Sequence, residues 1–326
     1  MSHPYSPEIL QATVDLVKLH GGLRQAARAS NIPFSTLQLR HKAAVNAGRV
    51  AKSTAEEPIV RGRVHALPRK EWDLPPKGQI KRYIFTRAQN NTLIHQPVWN
   101  TLCAIADAYD ARIVVSTFSY DKASYGPRAV KRGKAAHQNS LWYDPAIEPF
   151  IVDESIAVAN GLVWCGEQNI IPTAVRPLSG FESYTGRKSG IFPHTRFAMV
   201  SIPSGKQEGT KMNYTTGTIT QRNYIAKSAG FRAEFHHGYG ALLVEVDSDG
   251  CWWTRQLNAD SEGVIYDLAN YFSPSGIGKE DIRVESITWG DIHCGTVDRF
   301  VGRALWGPVG MLDTLRLKYQ SMHDVL

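Results

Sequence analysis

The stretch Leu23 to Val45, LRQAARASNIPFSTLQLRHKAAV, constrains the fold more than any other part of the chain. Its small and apolar residues (Leu23, Ala26, Ala27, Ile32, Leu37) recur at spacings that let two short helices pack tightly across a sharp turn. Asn31-Ile32-Pro33 supplies the break, because Asn tolerates the turn and proline fixes its own backbone while disfavouring helix at the residue before it. Ahead of it, Pro7 to His20 predicts a helix whose apolar stripe (Ile9, Leu10, Thr13, Val14, Leu16, Val17) ends at Gly21-Gly22. The order is helix, helix, tight turn, helix.

Ala26-Ala27, three spacer residues, Asn31-Ile32-Pro33 and then Ser35-Thr36-Leu37 resemble the helix-turn-helix of phage and bacterial DNA-binding proteins. The resemblance implies that Phe34, Ser35, Thr36, Gln38, Arg40, His41 and Lys42 lie on or near the groove face, with Arg24 and Arg28 on the preceding helix. Ser35 and Thr36 would donate to phosphates, and Gln38 and Arg40 could read base edges. The alternative is a helical hairpin that dimerises or packs on the next domain, so a homo-oligomer stays open.

Charge favours DNA as the partner. The formal net charge is +7; residues 1–82 hold 14 Lys+Arg against 6 Asp+Glu, and the remainder 23 against 24. The whole excess is N-terminal, in the stretch that contains the helices, where counterion release from DNA phosphates would use it. The chain lacks an apolar run long enough to span a membrane and a signal-peptide pattern. Cys103, Cys165, Cys251 and Cys294 are far apart with no CxxC pair, which argues against a zinc ribbon or disulfide framework. The expectation is a soluble, cytoplasmic protein without membrane partners, residing in the host cytoplasm if phage-encoded.

Residues 49–79, basic and punctuated by Pro58, Pro68, Pro75 and Pro76, predict an extended linker after a first domain over 1–48. Lys81–Thr86, Val98–Tyr109 and Arg112–Ser116 then predict a βαβ unit opening a mixed α/β domain over 80–281 with a largely parallel sheet. Gln89, Asn90 and Asn91 would cap the helix or contact a ligand. Tyr120–Gln138 predicts a basic exposed loop, and Ser155–Ala159, Leu162–Cys165, Ile170–Val175 and Phe197–Ile202 predict strands. Arg222–Ala229 predicts a short helix, and Arg232–Phe235 and Ala241–Val246 predict strands. Asp247-Ser248-Asp249-Gly250 predicts a hairpin turn, with Cys251–Leu257 returning. Gly205-Lys206 lacks the glycine spacing of a phosphate loop, and His236-His237 would point to opposite faces of a strand.

One further motif carries chemistry. A strand over Val284–Trp289 delivers Gly290-Asp291-Ile292-His293, with Gly295 just after. Asp-x-His at a strand end puts a carboxylate and an imidazole on one side of an extended backbone, where both can ligate one metal ion. The pattern resembles the first motif of calcineurin-like metallophosphoesterases. That resemblance implies Asp291 and His293 as catalytic metal ligands, Asp324 as the metal-bridging aspartate of a later strand, and manganese or magnesium as cofactor. The family's Asn-His dipeptide and later histidines have no place after Leu326, so residues 282–326 are expected to open such a domain without completing it.

The layout resembles DNA-transfer or DNA-metabolism proteins of tailed phages: a small all-α helix-turn-helix domain, a linker, a mixed α/β domain and the start of a phosphoesterase-like domain. It implies a protein that grips DNA and positions a metal-dependent phosphodiesterase or nuclease on it. The alternative is a non-enzymatic phage regulator whose α/β domain binds a ligand or protein partner.

Overall fold

The computed structural model describes residues 5–20, 23–46, 70–120, 141–205, 209–279, 282–290 and 296–322. The chain divides into two compact units, Met1–Arg63 and Val64–Leu326. The predicted linker and basic loop lie largely outside the described residues.

The first unit holds α1 (Pro7–Leu19), α2 (Leu23–Ser30) and α3 (Phe34–Asn46). Helix α1 starts where the Ser6 hydroxyl accepts the Ile9 N–H and Pro7, with no N–H, needs no acceptor. It buries Leu10, Thr13 and Val14. Asn31 adopts φ 57°, the left-handed conformation that asparagine tolerates, and this ends α2. Helix α3 begins two residues after Ile32, its first turn closed by Leu37 N–H to Pro33 O at 3.0 Å. Ala26, Leu37 and Ala44 are fully buried, and Leu10 and Val14 pack with Ala43 and Ala44 beside Tyr5. Small residues at the crossings let the helices approach closely, as their pattern predicts.

The second unit opens with β1 (Lys70–Glu71), then β2 (Ile80–Gln89), α4 (Gln96–Tyr109) and β3 (Ala111–Phe118), with β2 and β3 parallel. This is the predicted βαβ unit. The cap of α4 is His95, whose Nδ1 accepts the Val98 N–H, and not an asparagine of the preceding turn. Strands β4 (Ser155–Ala159), β5 (Leu162–Cys165), β6 (Ser189–Phe192), β7 (Met199–Ile202) and β8 (Lys211–Thr215) follow. After α5 (Ser228–Phe235) come β9 (Gly240–Asp247) and β10 (Trp252–Asn258), then β11 (Ile265–Asp267), β12 (Asn270–Ser273) and β13 (Gly276–Lys279). The unit ends with β14 (Ser286–Trp289), α6 (Arg299–Trp306), α7 (Met311–Leu315) and β15 (Tyr319–Met322).

Two sheets form the body: β1-β4-β5-β6-β8-β7 and β10-β9-β2-β3. Alternation along β2 splits its side chains between two cores. Ile84 and Ala88 face α4, meeting Val98, Leu102 and Ile105. Tyr83 and Phe85 face the larger sheet, meeting Ile156, Trp164 and Ile191. The layers are therefore helix, four-stranded sheet and six-stranded sheet. An ionic chain ties the three-stranded sheet β11-β12-β13 to this body. Arg255 grips Asp267 through Nε and Nη2 at 2.8 and 3.0 Å and Glu245 through Nη1 at 2.6 Å, and Arg82 holds the same Glu245 at 2.6 Å. Tyr109 donates to Asp267 at 2.9 Å, and burial pushes its hydroxyl up to about 12.

Several expectations need correction. The sheets are mixed, not largely parallel: six of the eleven strand pairings among the described residues are antiparallel. Short hairpins, such as the one through Asn160-Gly161, enforce antiparallel neighbours, since only a long crossover can connect parallel ones. Residues 170–175 form turns, in keeping with Pro172 and Pro177, which carry no N–H for a ladder. Strand β7 is an exposed edge, with Met199 64% and Val200 41% accessible, and it begins after Phe197. The Phe197 ring instead fills the space over Gly217 and Gly238, where a Cβ would come within 2.2 and 2.5 Å of it. Residues 232–235 lie in α5 and not in a strand, and the helix expected over 222–229 begins only at Ser228.

Candidate nucleic-acid interface and strand-end site

Helix α3 presents Ser35, Gln38, Leu39 and Lys42 to solvent, and their 0, 3, 4, 7 spacing makes one continuous face. Phe34 stands at its start, 41% exposed. Neither α2 nor α3 carries an acid in its first turn, so neither helix neutralises its own positive N-terminal end. Arg28 is exposed on α2, while the Arg24 side chain lies outside the described residues. Thr36, Arg40 and His41 are half-buried. The Arg40 guanidinium lies 5.8 Å over the Tyr5 ring with its Nε buried, which places it at the edge of the packed interior and Lys42 further out.

At the other end of the chain, β14 and β15 pair in parallel, with Trp289 opposite Met322 as their last partners. Asp291, His293 and Asp324 lie outside the described residues. In sequence, Asp291 follows Trp289 by two positions and Asp324 follows Met322 by two, and the parallel strands β14 and β15 have their C-terminal ends at the same edge. Adjacent strands are about 4.8 Å apart. Beside this end, a cavity of about 310 Å³ is lined by Trp289, Gly290, Val297, Asp298, Val301, Leu305 and Trp306. The Trp289 indole is fixed by donating to Gln320 Oε1 at 3.0 Å and packs on Trp306 with centroids 5.2 Å apart. Among the described residues, no group of three or more His, Cys, Asp or Glu is placed to hold a metal.

A third region is a buried polar cluster past the C-terminal ends of β2, β3 and β6. Arg87 is fully buried on β2, donating through Nη1 to Pro193 O at 2.6 Å and through Nη2 to Ile170 O at 2.7 Å. Its guanidinium lies 3.5 Å over the Phe118 ring. Burial pushes its pKa down to about 9, so it stays cationic at neutral pH. His194 is fully buried nearby; its Nδ1 accepts the Arg196 N–H at 3.0 Å and its Nε2 faces Ile171 O at 3.2 Å, which fixes the neutral Nε2–H tautomer. Burial, then repulsion from Arg87, pushes His194 down to about 3. His237, with Tyr224 Oη 2.5 Å from its Nδ1, is pushed to about 3 by burial and then by Arg222.

Gln89 and Asn90, expected as loop residues, are built into this network: Gln89 bonds Asn223 O at 3.1 Å and Asn90 Oδ1 accepts the Tyr120 N–H at 2.6 Å. Asn91 binds the neighbouring loop through its backbone, its N–H donating to Trp142 O at 2.7 Å. Arg87 and His194 were not singled out from sequence, because the bonds that hold Arg87 against the His194 segment span 83 to 106 residues and no local spacing announces them.

Protein A1 of Escherichia phage T5 is 34% identical over 299 residues, an alignment covering 89% of this chain and 52% of that protein. The chain is a homologue of a phage protein. It spans about half the length of that relative. No family model matches the chain, and no solved structure matches it. No helix among the described residues is long and apolar enough to cross a membrane.

Proposed function

We propose that this is a phage DNA-binding protein whose N-terminal helical unit grips duplex DNA and whose C-terminal strands open a metal-dependent phosphodiesterase or nuclease site. The observation that carries the DNA reading is the exposed face Ser35, Gln38, Leu39 and Lys42 on the helix after a tight turn, with no acid in its first turn. A helix so placed offers N–H groups to phosphate, and Gln38 and Lys42 reach toward bases and backbone. Its surroundings in the sequence hold the chain's entire positive excess.

The phosphodiesterase reading draws support from the parallel β14–β15 pair, whose neighbouring C-terminal ends precede Asp291, His293 and Asp324 in sequence. Carboxylate and imidazole donors suit manganese or magnesium, and that ion would activate water against a phosphodiester. Asp291, His293 and Asp324 would hold it. Trp289, pinned through its indole N–H to Gln320, fixes the end of β14.

An electrophoretic mobility shift of duplex DNA tests the reading. Lys42→Ala should weaken binding and reduce the slope of log K against log salt by about 0.9, the value of one lost phosphate contact. Gln38→Ala should weaken it in a sequence-dependent way, and a shift indifferent to both would refute the assignment of α3. In a longer protein that carries the remaining phosphoesterase motifs, Asp291→Ala should abolish any manganese-dependent cleavage; cleavage that persists would sink the metal site while leaving DNA binding intact.

A further inference from the structure

We infer that α5 and the segment leading into it form a second nucleic-acid contact, a stacking platform for single-stranded DNA on the α/β unit. The inference goes beyond the duplex-binding role of α3 and does not rest on it.

Helix α5 is pressed inward by its small residues. Gly230 and Ala233 are buried, and a Cβ on Gly230 would lie 1.8 Å from Ile225 O. The large apolar residues point the other way: Phe231 is 62% exposed and Phe235 85%. Four residues apart, they rise from one face about 6 Å from each other along the axis. Two phenyl rings so exposed on one short helix are unusual for a surface that meets only water.

The surroundings are cationic. Arg222, Lys227 and Arg232 are all exposed, and Glu234 is the only acid between Gln221 and His237. The segment is also anchored where α/β folds receive ligands, past the C-terminal ends of the parallel pair β2 and β3. Gln221 N–H donates to Leu93 O at 3.0 Å, and Asn223 Nδ2 donates to Asn91 O at 3.1 Å. The Asn91 N–H in turn donates to the carbonyl of Trp142, whose side chain is 44% exposed. Aromatic faces and cations thus share one stretch of backbone tied together by hydrogen bonds.

That chemistry selects the partner. Unstacked bases offer flat π faces to exposed rings, and every base has one, while the flanking cations track phosphates. A duplex keeps its bases stacked and out of reach of rings on a convex helix. Charge complementarity favours a polyanion over a neutral apolar partner.

Anisotropy of a fluorescein-labelled 20-mer of deoxythymidine, titrated with the full chain at low salt, tests the inference. Stacking on one aromatic ring is worth about 1–3 kcal/mol per base, so each ring should account for about 5- to 150-fold in affinity. Phe231→Ala with Phe235→Ala should then weaken binding by at least about 25-fold, while Phe231→Trp with Phe235→Trp should retain it. Arg232→Gln should flatten the salt slope by about 0.7, the single-strand value for one phosphate. The paired alanines should cost the same fold-change in a Lys42→Ala background, which separates this site from α3. The exposed rings can be removed without unfolding the chain, and an unaltered urea midpoint verifies that. Unchanged affinity in the double alanine variant would overturn the platform. So would a wild-type chain that ignores oligo-dT yet sediments with phosphatidylserine vesicles, which would assign the rings to a lipid surface.

Discussion

His194 and His237 should make the α/β unit acid-sensitive, by an amount that follows from their surroundings. Both are buried and neutral, with pKa values pushed to about 3, whereas an unfolded histidine titrates near 6.5. Between those values the unfolded chain binds protons that the folded one refuses, so stability rises with pH through that window. It is fully present above about pH 6.5 and is lost progressively as pH falls toward 3. At pH 5, linkage with these values gives about 2 kcal/mol for each histidine and about 4 kcal/mol for the pair. The structure supplies the cause for His194: a proton on Nδ1 would face the Arg196 N–H, donor against donor, with the Arg87 cation close by. For His237, the protonated ring would sit in a buried setting that Arg222 and His95 already make unfavourable to positive charge.

Tryptophan fluorescence isolates the relevant unit, since all eight tryptophans fall after residue 63. Urea unfolding monitored this way should show a midpoint lower by about 1–2 M at pH 5 than at pH 7.5, taking a slope of about 2–3 kcal/mol per M. His237→Phe, which keeps an aromatic ring beside Tyr239, should remove about half of that pH dependence while setting its own baseline at pH 7.5. The reasoning is refuted if the wild-type midpoint is the same at both pH values, or if the variant retains the full pH dependence.

Two further outcomes test the packing. Arg87→Met removes the donors that satisfy the buried carbonyls of Pro193 and Ile170, and should cost about 2–4 kcal/mol after the relief of burying a charge is deducted; an unchanged urea midpoint would show that the guanidinium is not needed to hold those segments. Leu37→Ala empties a fully buried position of the helical unit and should cost it about 2–4 kcal/mol. Its signature is lost helical circular dichroism and weaker duplex binding at 37 °C with unaltered tryptophan fluorescence, and wild-type binding at that temperature would count against the proposed core.

What could be read from the sequence was whatever a short window determines. The α1 stripe of Leu10, Thr13 and Val14, the turn at Asn31 with its left-handed φ, and the Asp247–Gly250 hairpin each rest on residues within one or two turns of each other. The β2-α4-β3 unit was equally legible, because its period changes from 2 to 3.6 and back. Residues 232–235 were misread since Arg-Ala-Glu-Phe alternates polar and apolar as a strand does; on the helix, that same alternation puts Ala233 inside and Phe235 outside. The mixed sheet and the Arg87 cluster depend on partners far away in sequence, and spacing carries no trace of them.

The misread helix also alters where function should be sought on the α/β unit. As a strand, Phe235 and His236-His237 would be a failed metal site at a sheet end. As a helix, the same residues divide by exposure: His237 goes into the neutral buried network with Tyr224, and Phe235 goes out to solvent beside Phe231. One element then couples a proton-excluding interior to a ring-bearing surface. With its pKa pushed to about 3, His237 stays neutral in the folded chain down to pH 5. The urea midpoint should therefore fall between pH 7.5 and 5 while His237→Phe leaves the pH dependence of oligo-dT affinity in the absence of urea unchanged.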